Sequence, residues 1–73
     1  MDRRTEYLDR LALQLKAGKN PNCRRAINRI LADVKKRCQK GEYSSQTEAE
    51  NAFRKFVEDE SACQKLNRSP TNR

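Results

Sequence analysis

Apolar residues in this chain recur in three blocks at the spacing of a helix face, and two short polar breaks, each containing a glycine, separate them. In the first block Tyr7, Leu8, Leu11 and Leu15 form one stripe, which predicts a helix over about 5–17. Thr5 stands where a capping residue is wanted, Glu6 and Asp9 suit the positive end of the helix dipole, and Gly18 ends the run. Leu13 points elsewhere, about 200° round from Leu11 at about 100° per residue. It is a lone outward leucine or a candidate contact with a partner or a second copy.

The second block has the clearest boundaries. Asn20 is a good N-cap, Pro21 fits the first helical position because its missing N–H costs nothing there, and Gly41 is the expected residue after the C-cap, predicting a helix over about 21–40. On a helical wheel Cys23, Ala26, Ile27, Ile30, Leu31, Val34 and Cys38 fill an arc of about 140°. Arg25, Arg29, Lys36 and Lys40 fall on the opposite side within about 60° of one another. Arg24 and Lys35 sit on the flanks of the apolar arc, where pairing with acids of the third block is expected.

In the third block Ser45 and Glu48 match the S-x-x-E capping box, and Ala49, Ala52, Phe53, Phe56, Val57 and Cys63 define an apolar stripe, predicting a helix over about 46–66. Glu50 with Arg54 and Lys55 with Asp59 have the spacing of ion pairs. Residues 68–73 are polar and basic, contain Pro70, and read as a disordered tail beyond a single domain of residues 1–67. Three helices with short connections make a small antiparallel all-α bundle the expected fold. A hairpin folded about residue 43 brings together positions whose numbers sum to about 86, setting Ile30 against Phe56, Val34 against Ala52 and Cys23 against Cys63.

With 73 residues, 34% hydrophobic and 37% charged, the core is small and association into a homodimer or with a partner would add to its stability. No apolar run is long enough to span a bilayer, and the opening residues lack the apolar segment of a secretory signal, which favours a soluble cytoplasmic protein without membrane contact. Three cysteines, none at CxxC spacing, agree with a reducing compartment, where free thiols are expected. The register leaves a Cys23–Cys63 bond geometrically open, whereas Cys23 and Cys38, fifteen residues apart on one helix, are too distant to pair.

Candidate chemistry narrows the picture further. The chain has no histidine, so common Cys/His zinc sites and a Cys–His nucleophile are excluded, and neither a metal nor a cofactor is expected. There is no glycine-rich phosphate loop, and Glu58, Asp59 and Glu60 are consecutive, which splays them round a helix rather than converging them. Glu60 is expected to pair with Arg24, Arg25 or Arg29. An enzyme is not indicated.

Charge is concentrated. Residues 20–40 hold seven basic residues against one acid, a net +6 of the formal +7, whereas residues 41–64 hold six acids against two basic residues. Arg25, Arg29, Lys36 and Lys40 therefore form a free basic ridge suited to a phosphate backbone. Aromatics are 5% of the chain, and with Tyr7, Phe53 and Phe56 assigned to the core only Tyr43 is left to stack on a base or contact a partner. Duplex backbone contact is thus favoured over single-strand recognition. Ser45, Gln46 and Thr47 resemble the start of a recognition helix, but Glu48 and Glu50 would bring negative charge to the phosphates. The expectation is a non-enzymatic accessory regulator that contacts nucleic acid through its second helix. The alternative is an adaptor or inhibitor that binds an acidic protein surface through the same ridge, or uses Leu13.

Overall fold

The computed structural model describes residues 5–64 and contains three α-helices, α1 (Glu6–Lys16), α2 (Pro21–Gln39) and α3 (Gln46–Asp59), followed by a short 3-10 turn, Ser61–Cys63. The all-α three-helix bundle read from the sequence is present. Helix α2 packs against α1, α3 and the 3-10 turn, while α1 and α3 touch each other less.

The helix ends follow local chemistry. The Asn20 side chain accepts a hydrogen bond from the Cys23 amide at 2.8 Å, with Pro21 at the start of α2. At its other end Gly41 adopts φ +80°, its amide bonds to the Cys38 carbonyl and that of Glu42 to the Arg37 carbonyl, the paired pattern that closes a helix on a left-handed residue. Ser45 caps α3 by accepting from the Glu48 amide at 3.1 Å. The Glu48 carboxylate reaches one residue further back than the capping box implies, accepting from both the amide and the hydroxyl of Ser44 at 2.6 Å. Thr5 does not cap α1 with its side chain and is buried instead.

Ten apolar residues are buried among the described residues: Leu8, Leu11 and Ala12 from α1; Cys23, Ala26, Ile27 and Val34 from α2; Ala49, Phe53 and Val57 from α3. Burial of a side chain such as Phe53, Leu8 or Ile27 contributes about 1.5–3 kcal/mol each, whereas the three alanines add much less. The core is therefore thin, and it is cross-linked. Cys23 and Cys63 form a disulfide, with their Cα atoms 4.6 Å apart. This confirms the hairpin register and corrects the expectation of free thiols, so the cysteine count no longer argues for a reducing compartment. Cys38 is free, half-buried, with the Tyr7 hydroxyl 3.8 Å from its sulfur.

Two further expectations are corrected. Helix α3 stops at Asp59 rather than near residue 66, because its final turn gathers Glu58, Asp59 and Glu60 at the negative end of the dipole with no basic residue to offset them. Glu60 turns extended, and its carboxylate accepts from the Ala62 amide at 3.4 Å, starting the 3-10 turn that carries Cys63 to Cys23. Phe56, assigned to the core from its stripe, is 37% exposed at the edge of α3. Residues 65–66 of the expected third helix and the expected basic tail of residues 68–73 lie outside the described residues.

The bond closes a loop spanning a sequence separation of 40, for which chain entropy gives about 4 kcal/mol of stabilisation. Cys63→Ser, or treatment with a thiol reductant, is expected to lower the unfolding free energy by about that amount, read as a lower midpoint in urea followed by circular dichroism. The two Ser44 hydrogen bonds hold the Glu48 carboxyl below its usual range. Their stabilisation is present at neutral pH and is lost as the pH falls through the depressed value, below about 4.3, the ordinary glutamate pKa. Glu48→Gln is accordingly expected to flatten the acid limb of a stability-versus-pH curve measured by thermal melting.

Candidate nucleic-acid interface

The ridge exists because α2 uses its other faces for packing. Cys23, Ala26, Ile27 and Val34 are buried and Ile30, Leu31 and Cys38 are half-buried against the core, which turns Arg25, Arg29, Lys36 and Lys40 to the exposed side. None of these four makes an ion pair among the described residues. Asn22 lies beside Arg25 and Arg29, and the three line a shallow concavity on the first two turns of α2.

The remaining charges of α2 divide differently from the sequence expectation. Lys35 does pair, but with Asp9 of α1 at 2.9 Å rather than with an acid of α3. Arg24 is exposed and has no ion pair among the described residues; the neutralised arginine is Arg37, held by Asp33 at 3.0 Å and Glu42 at 3.4 Å. The Asp33 hydrogen bond and charge raise the Arg37 pKa above its ordinary value. Glu60 makes no ion pair with Arg24, Arg25 or Arg29, because its carboxylate is used on the Ala62 amide. Glu50 accepts from Gln46 at 3.2 Å instead of pairing with Arg54, and no Lys55–Asp59 bridge forms.

Arg37 also lies over the ring of Phe56, 5.8 Å from its centroid, an attraction between guanidinium charge and ring face. The two residues line a shallow groove between α2 and α3 together with Arg29, Ile30, Asp33, Asp59 and Glu60. This charge-mixed groove was missed in the sequence. The i,i+4 spacing of Asp33 and Arg37 was its available signal.

Tyr43 is half-buried against the core, in a hollow it shares with Tyr7, Cys38, Gly41 and Ser44. Burial raises its phenol pKa, against the opposing pull of Arg37. None of the ridge cations lines that hollow, so Tyr43 is not positioned as part of the ridge. Leu13 is 67% exposed on α1, as the wheel places it. No described group of His, Cys, Asp and Glu residues could hold a metal ion, and no described helix is long and apolar enough to cross a membrane.

Because the ridge side chains carry no structural partner, Arg25→Ala/Arg29→Ala is expected to change folding stability by no more than about 0.5 kcal/mol per site, measured by urea denaturation. A larger loss would show that these arginines serve the fold. Comparison with models of known protein families, with characterised proteins and with solved structures returned no match, and the functional reading rests on the site itself.

Proposed function

We propose that this chain is a small non-enzymatic binding protein, an accessory regulator that engages the backbone of duplex nucleic acid through the outer face of α2. The observation that carries the reading is the alignment of Arg25, Arg29, Lys36 and Lys40 on one exposed face with no ion pair to any described acid. Four cations aligned on one face without an ion pair can each meet a phosphate of a duplex, and release of condensed counterions supplies most of the binding free energy. Phe56, which shares a groove with Arg29, is already covered by Arg37, and Tyr43 lies in a separate hollow, which favours a duplex over a single strand. A second reading, an adaptor for a protein surface, is favoured by one observation, the 67% exposure of Leu13 on α1. On that reading the contact is apolar and varies little with salt.

A gel-shift salt series separates the two. Four phosphate contacts give a slope of log K against log salt of about −3.6, and Arg25→Ala/Arg29→Ala reduces it to about −1.8. No duplex binding at micromolar protein in about 50 mM salt overturns the nucleic-acid reading.

A further inference from the structure

We infer that the partner is B-form DNA and that α2 lies across the mouth of the major groove, bridging the two phosphate backbones without entering the groove floor. The inference rests on the proposed function and adds a geometry to it. At about 1.5 Å rise per residue, Arg25 and Arg29 are about 6 Å apart along the axis, Lys36 and Lys40 likewise, and about 10.5 Å separates Arg29 from Lys36. The ridge is thus two cation pairs with a gap. The major groove of B-DNA is about 12 Å wide and the minor groove about 6 Å, so the gap fits the major groove and is too wide for the minor.

What occupies and flanks the gap agrees. Ala32 and Asp33 lie between the pairs, each about 50° from the centre of the ridge on the wheel; Ala32 is exposed and too small to hold the helix away from the DNA, and Asp33 is held by Arg37. A helix inserted lengthwise in the groove would need cations on both flanks to meet both strands. Here the flank beside Lys35, already paired with Asp9, and Asn28, whose amide oxygen accepts from Lys16 at 2.8 Å, does carry one exposed cation without an ion pair, Arg24, but the other flank carries Asp33. Insertion would therefore place a carboxylate against phosphate, while a crossing orientation uses only the ridge. It also leaves no free side chain aimed at base edges from the gap, so the same geometry implies low sequence specificity.

The two ends differ. The first turn of α2 contains no acid, so the positive end of the dipole reinforces Arg25, whereas Lys36 and Lys40 stand near the negative end. The arginine pair then contributes more to binding than the lysine pair.

The test compares the intact protein on four duplexes of one length in a gel shift: plain DNA, DNA with bulky glucosyl groups filling the major groove, DNA saturated with a minor-groove ligand, and RNA. Binding is expected to fall about tenfold or more on glucosylated DNA and on RNA, whose major groove is deep and narrow, and to be unchanged by the minor-groove ligand. Displacement by the minor-groove ligand, or equal binding to DNA and RNA, overturns the crossing geometry while leaving backbone binding intact. No binding to any duplex overturns the proposed function as well. As a control on spacing, Ala32→Lys/Lys40→Gln keeps the net charge but fills the gap, leaving no interval above about 6 Å along the axis; it is expected to reduce the DNA-over-RNA preference, and an unchanged preference counts against the inference.

Discussion

The structure depends on a shared face. The apolar arc of α2 serves two neighbours at once, so α2 has one orientation in which both α1 and α3 can bury their stripes, with Ile27 and Val34 fully enclosed. Rotation of α2 by a single residue, about 100°, would expose part of that arc and bury arginine. The charge pattern on the outside is thereby fixed by packing on the inside. A cross-link at one end, Cys23 to Cys63, holds the arc in register where the helical part of α3 has already ended.

The same packing sorts the cations. Lys35, facing α1, reaches Asp9, and Arg37, facing α3, lies over Phe56 between Asp33 and Glu42. These exposed pairs add little to stability, because water screens them. Their larger effect is to remove two charges from the flanks of α2, so that its unbalanced positive charge is concentrated on the outer face. A line of charge is a more specific feature than a net charge, because it can be compared with the spacing of an extended polyanion.

Much of this was legible in the sequence because it is local. Helical periodicity, the Asn20–Pro21 start, the Gly41 stop and the Ser45 cap each act within a few residues, and they set α2 and the beginning of α3 closely. The wheel position of Arg25, Arg29, Lys36 and Lys40 is a matter of arithmetic once the helix is known. The summed-number register also located Cys63 opposite Cys23, although the compartment argument favoured thiols over the bond that forms.

What the sequence by itself determined, then, is the set of helices and the division of α2 into an apolar and a basic side, since both follow from spacing along one chain. Only the tertiary structure decided which flanking cation of α2 meets an acid of another helix. Arg24 and Lys35 sit side by side on one flank of the apolar arc, yet only Lys35 is brought within reach of an acid of another helix, Asp9 of α1, while Arg24 is left exposed. It also decided that Phe56 sits at the edge and that α3 gives way to a 3-10 turn at Glu60. Those outcomes turn on distances between elements, set by how thin the core is and where the disulfide draws the chain in, and no local pattern encodes them.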